Sequence, residues 1–228
     1  MNILIAASRG GGLKGRMEPG TLAISDVSPG GKLKYLTHRA MTCLQGLPPQ
    51  AYQGQPIHVY VMGGIPDVTE KLKSKYYAYK YTETIYVEDP EITVSRFKDN
   101  LLNCADSIKS LGAIPVFCTI TRCNINDYNN SLLQKGSTSI LYHQDHYSDM
   151  QEVLNQVIDK INSIIKETNQ SNHLSTPHCH SAITKRRGTK GGYRIYAWEL
   201  LRDGVHGTEK TLQAWADSLS AAIKCNRR

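Results

Sequence analysis

Asp203 and His206 stand three residues apart in the turn Asp203-Gly204-Val205-His206, just ahead of an amphipathic stretch. At that spacing a carboxylate can hold one imidazole nitrogen, fix the ring's tautomer and stabilise the imidazolium, leaving the other nitrogen to face a nucleophile. The same four residues also suit a helix-leading turn in which Asp203 bonds the local backbone. Ser8 offers the missing half of such chemistry. It ends the apolar run Asn2-Ile3-Leu4-Ile5-Ala6-Ala7 and is followed by Arg9 and Gly10-Gly11-Gly12. A serine there exposes its hydroxyl at a strand end, beside backbone N–H groups able to hold a developing oxyanion. It can equally be a turn or helix-capping serine. A phosphate loop is excluded, because Gly10-Gly11-Gly12-Leu13-Lys14-Gly15 lacks the spacing and the Lys-Ser/Thr pair of a Walker A motif.

Other groupings carry less. His173, His178, Cys179 and His180 include zinc-ligand types, but there is no second spaced pair, and the expectation is a flexible loop. Lys71 to Glu88 interleaves Lys71, Lys73, Lys75 and Lys80 with Tyr76, Tyr77, Tyr79, Tyr81 and Tyr86. That composition can stack bases and hold phosphates, or form a surface hairpin with solvated lysines. Lys185, Arg186, Arg187, Lys190 and Arg194 form a second basic run, read as a solvated loop ahead of Asp203.

The elements that must position these residues are short apolar runs alternating with longer amphipathic ones. Strands are expected at Asn2 to Ala7, Thr21 to Val27, Ile57 to Met62 and Ala113 to Ile120, each bounded by Gly, Pro or Ser. Helical spacing marks Leu33 to Leu44, a long segment from Pro90 to Gly112, Met150 to Ile165 and Leu212 to Ile223. The alternation predicts one α/β domain over 1–228, a three-layer α/β/α sandwich with a mainly parallel sheet. Segments 70–88 and 169–194 read as insertions. Ligands in such folds sit at the carboxyl ends of the strands, where Ser8 to Gly12, Ser28 to Gly31 and Gly63 to Asp67 fall.

Bulk properties agree with one globular domain. The chain has 228 residues, 40% hydrophobic and 21% charged, with a mean hydropathy of −0.40. These values exclude a mostly disordered or fibrous chain. No run approaches the roughly 20 apolar residues that span a bilayer. The first apolar run is too short for a signal peptide and lacks a basic lead, which predicts an intracellular protein, cytoplasmic or nuclear. Lys+Arg 27 against Asp+Glu 20 leaves +7, a balance that suits an anionic partner without requiring one. Six scattered cysteines form no framework and are expected to be reduced.

In chain order, a serine after the first strand, a glycine after the second, Gly-Gly-x-x-Asp after the third and Asp-x-x-His before the last helix resemble the SGNH (GDSL-type) hydrolases. The stretches that carry the resemblance are Ile3 to Ser8, Pro29-Gly30-Gly31-Lys32-Leu33, Val61 to Asp67 and Asp203 to Lys210 with Trp215 beyond. Within that family the chain is similar to SGNH-like domains carried by some eukaryotic retrotransposons. The resemblance implies a flavodoxin-like sandwich and a serine esterase or acyl hydrolase that needs no metal or cofactor. Ser8 would be the nucleophile, His206 the general base and Asp203 its orienting acid. Ser8, Gly30 and Gly64 would form the oxyanion hole. Two positions depart from the pattern. Ala6-Ala7-Ser8 replaces Gly-Asp-Ser, and Gly64-Ile65-Pro66-Asp67 replaces Gly-x-Asn-Asp, so a proline without an N–H stands where an amide donor is expected. The implied partner is an ester substrate; the rival is a catalytically weak module binding nucleic acid or a protein through its basic loops.

Overall fold

Why β1 (Asn2–Ala6) and β2 (Ile24–Val27) end where they do is set by the Ser8 to Gly12 and Ser28 to Gly31 turns. β3 (His58–Met62) is followed by β4 (Glu70–Lys71) and β5 (Ile85–Tyr86), which pair antiparallel with each other. β6 (Ile114–Phe117) completes a four-stranded parallel sheet of order β2-β1-β3-β6. Every residue of β1 and β3 is buried, which is what a parallel sheet covered on both faces demands. The computed structural model describes residues 1–52, 54–71, 85–87, 89–134, 147–187 and 193–227.

Strand alternation sends side chains to two cores. Ile3, Ile5, Val59, Val61 and Phe117 pack on one face, with α1 (Leu33–Gln45), α3 (Pro90–Ser110) and α5 (Tyr147–Ser171). Leu4, Ala6, Tyr60, Met62, Val116 and Cys118 face the other way, onto Trp215, Leu219 and Ile223 of α6 (Glu209–Asn226). The two remaining α-helices among the described residues are short: α2 (Ile65–Val68) directly after β3, and α4 (Ile125–Gln134). The chain thus forms the three-layer α/β/α arrangement expected from its alternation. Among the described residues no helix is long and apolar enough to cross a membrane.

The outer side of β6 is closed in an unusual way. Ile114 and Cys118 donate to β3, so positions 115 and 117 face away from it. Pro115 has no N–H to leave unsatisfied there. The Asn169 side chain accepts from Phe117 N and donates to Phe117 O, at 3.0 and 2.8 Å. Asn162 does the same for Ile120, and the Gln151 amide bonds Ile125 N and Cys123 O. Seven helical residues rise about 10.5 Å and three extended residues about 10 Å, so asparagines seven apart on α5 match backbone positions three apart.

Two sequence expectations change. The stretch from His173 to His180, expected as a flexible loop, is packed against the sheet. After α5 it runs beside β6, with Thr119 N donating to Pro177 O, and Cys179 and Ile183 are fully buried. The described part of the basic run is strand, with β7 (Thr184–Arg187) and β8 (Tyr193–Tyr196) pairing antiparallel. The Lys/Tyr segment lies outside the described residues, apart from its β4–β5 ends.

Candidate active site

Ser8 opens a single 3-10 turn, Ser8–Gly10, directly after β1. Ala7 N donates to Met62 O and Ser28 N to Ala6 O, both at 2.8 Å, so three strand ends are fixed together around it. The turn folds back so tightly that a Cβ on Gly10 would collide with the Ala6 Cβ. Glycine there is a requirement of the close approach, not of backbone freedom.

The opposite wall is the turn before α6. An isolated bridge joins Leu201 to Gly207, and Arg202 N donates to His206 O at 2.8 Å, which closes the loop at its base. Gly204 has φ +76°, and a Cβ on it would strike the start of α4 at Asn124 O and Tyr128 N. Asn124 N in turn donates to Gly204 O. The loop therefore seats on α4 and presents its histidine to the strand ends.

Ser8, His206 and Asp203, separated by up to 198 positions in the chain, meet in hydrogen-bonding order. Ser8 Oγ lies 3.1 Å from His206 Nε2, and His206 Nδ1 lies 2.8 Å from Asp203 Oδ2. The other carboxylate oxygen, Oδ1, accepts from His206 N and Val205 N at 2.7 and 3.1 Å. Burial alone would raise the Asp203 pKa. The bonds from His206 and Val205 outweigh it and hold the carboxyl below its ordinary range. The geometry matches a nucleophile, a base and the group that orients the base.

Ser8 and His206 open onto a cavity of about 620 Å³. Ser8, Gly30 and Gly64 all line it, with Met62, Ile65, Pro66, Ile120 and Val205 giving it apolar walls. Gly64 needs its glycine twice over: φ is +121°, and a Cβ would run into Ile120. Pro66 sits in the first turn of α2, where its missing N–H has no intrahelical partner to lose. Thr119, Thr121 and Arg9 also line the cavity and were not singled out from the sequence. All three bond backbone carbonyls far along the chain, and such partners leave no local spacing to read.

Asp67 is 6% exposed and accepts from Leu33 N with both oxygens at 2.9 Å. It caps α1 from within α2, since Lys32 provides no side-chain cap, and so ties the Gly30 turn to the Gly64 turn. Burial pushes its pKa up to about 6, against the Leu33 hydrogen bond and the charges of Lys32 and Arg96. The folded state then holds this proton more tightly than the unfolded chain. Stability is expected to fall as pH rises from about 4 to about 6, by about 2 kcal/mol from this group. Asp67→Asn keeps an acceptor for Leu33 and is expected to remove that fall, measured by denaturant unfolding at both ends of the window.

The remaining candidates do not converge. His180 Nδ1 meets Thr119 Oγ1 at 3.0 Å, and the Cys179 carbonyl accepts from Trp215 Nε1 and Thr121 Oγ1. Among the described residues no three His, Cys, Asp or Glu side chains gather as a metal site would need. Lys185 is ion-paired with Glu199, and Lys73, Lys75, Lys80 and Lys190 lie outside the described residues.

No protein-family model matches the sequence, and none of the curated proteins does. Solved structures do. A protein named as an acylhydrolase from Bacteroides fragilis NCTC 9343 superposes with a TM-score of 0.60 at 13% identity, over 100% of this chain and 88% of its own. A GDSL-like lipase from Bacteroides thetaiotaomicron VPI-5482 gives 0.57 at 13% identity, over 98% and 87%. A protein named for the G-D-S-L lipolytic family, from Desulfitobacterium hafniense DCB-2, gives 0.54 at 9%, over 97% and 98%. At such identities the likeness speaks for the fold alone, and it does so over nearly the whole chain. This chain has the α/β/α fold of the SGNH (GDSL-type) hydrolases.

Proposed function

We propose that this protein is a serine esterase or acyl hydrolase. The observation that carries the reading is the Ser8–His206–Asp203 relay at 3.1 and 2.8 Å, opening on an apolar cavity. Ser8 Oγ attacks the carbonyl carbon of an ester while His206 Nε2 takes the hydroxyl proton. The same nitrogen gives that proton to the departing alcohol as the tetrahedral intermediate collapses. Water then releases the acyl group through the same base. Met62, Ile65, Ile120 and Val205 receive the acyl chain, and the N–H groups of Ser8, Gly30 and Gly64 face the oxyanion. The test is labelling with a serine-directed fluorophosphonate and mapping of the adduct. Modification at Ser8 supports the reading, and a native protein that neither reacts nor cleaves p-nitrophenyl esters overturns it.

The binding-module alternative, with nucleic acid held on the basic loops, gains no specific observation. Pro66 bears instead on how fast the enzyme is. One oxyanion donor contributes about 10²–10³ in kcat in a comparable site. Pro66→Asn adds an amide at a cavity-lining position whose backbone N–H is unneeded by α2, so kcat for p-nitrophenyl acetate is expected to rise by about 10- to 100-fold. Unchanged kcat in a folded variant means that the hole is already complete.

A further inference from the structure

Arg9, the residue directly after the nucleophile, is only 8% exposed. Its Nε donates to Val205 O at 2.9 Å and its Nη1 to Thr121 O. Its guanidinium carbon lies 5.9 Å from the centre of the Trp215 ring on α6. Nη2 is buried with no hydrogen-bond partner. Burial pushes the Arg9 pKa down, while Cys123, Asp203 and Cys179 pull it up. A desolvated cation with an unmatched donor is a poor device for stability alone, since an apolar side chain of similar volume would fill the space at less cost.

Its contacts have one feature in common. Val205 O is the carbonyl immediately before His206, and Thr121 belongs to the stretch after β6 that lines the cavity. Arg9 itself shares the nucleophile's turn. One rigid planar group therefore bonds, or belongs to, the three segments whose relative placement sets the distance between Ser8 and His206. We propose that Arg9 is a positioning residue, whose guanidinium fork pins the Val205–His206 backbone to the Thr121 carbonyl and so holds the imidazole against Ser8. The proposal rests on the hydrolase reading. Arginine suits the task because its fork meets two carbonyls in fixed directions. Lysine, with a single ammonium, keeps the charge but not that geometry.

The test compares the native protein, Arg9→Lys, Arg9→Met and Ser8→Ala. The readings are fluorophosphonate labelling rate, kcat and KM for a p-nitrophenyl ester, and thermal unfolding, with active sites counted by the probe. Misplacing reacting groups by about 1 Å costs on the order of 10² in rate. Both Arg9 variants are expected to lose about that factor in kcat and in labelling rate, with KM changed less than about threefold. A merely structural Arg9 would lower the unfolding temperature and leave the probe-counted sites turning over at the native rate, and that result overturns the proposal. If Arg9→Met does not fold, Arg9→Lys decides the matter by the same criteria. A native protein that reacts with the probe no faster than Ser8→Ala removes the hydrolase reading, and the positioning role falls with it. That outcome is distinct from an active native protein whose Arg9 variants are equally active.

Discussion

Ser8→Ala is expected to lower hydrolysis of short p-nitrophenyl esters by about 10⁶ in kcat while leaving thermal unfolding nearly unchanged. The two halves of that expectation have separate physical sources. The Ser8 hydroxyl lines the cavity and meets the His206 ring, which is 28% exposed. Deleting the oxygen leaves no deeply buried group without a partner, because the imidazole nitrogen can turn to water. The fold should hardly respond. Catalysis, in contrast, loses the atom that forms the acyl bond, and what remains is the hole and the binding cavity. Turnover and unfolding measured on the same preparation check both halves. An Ala variant that cleaves the esters as well as the native chain rules Ser8 out as nucleophile.

Asp203→Asn is expected to cost about 10⁴ in kcat, again with the fold intact. The argument lies in which oxygen does what. Oδ1 accepts two backbone N–H groups, from Val205 and His206, and Oδ2 faces the ring. An asparagine keeps its oxygen on the two N–H groups and is forced to turn its NH₂ toward His206 Nδ1. That donor requires a lone pair on Nδ1, so the ring proton moves to Nε2, the nitrogen that must accept from Ser8. The turn survives and the tautomer is wrong. A circular dichroism spectrum like that of the native protein, with turnover cut to this degree, is the expected pair of results. Native turnover in the variant excludes Asp203 as the orienting acid.

The parts of the molecule that could be read from the sequence are those whose signal is local. β1, β3 and β6 are short apolar runs bounded by Gly or Pro, and the four long helices carry 3.6-residue periodicity. α4 escaped because Ile125–Gln134 is rich in asparagine, although Asn124 accepting from Asp127 N is a cap that its spacing could have announced. The β7–β8 hairpin was hidden by charge, its strands holding Thr184–Arg187 and Tyr193–Tyr196. Ser8, Asp203 and His206, which the structure brings within hydrogen-bonding distance, could be proposed together because three residue types stand in a fixed order around strands. Arg9 could not, since its partners are backbone carbonyls 196 and 112 positions away. Any residue type offers a carbonyl, so such a contact writes nothing into the chain.

The amides of Asn162 and Asn169 have a consequence beyond the packing of α5. A terminal strand normally displays a row of free N–H and C=O groups on which a strand of another molecule can be templated. At Phe117 and Ile120 those groups are already taken by side chains of the same molecule, and Pro115 removes one more. A side-chain amide copies the pairing of a strand without being one, so it can satisfy an edge yet not extend it. Growth of the sheet from one copy into the next is thereby opposed at this border, and two asparagines on one helix act as a guard against edge-to-edge pairing.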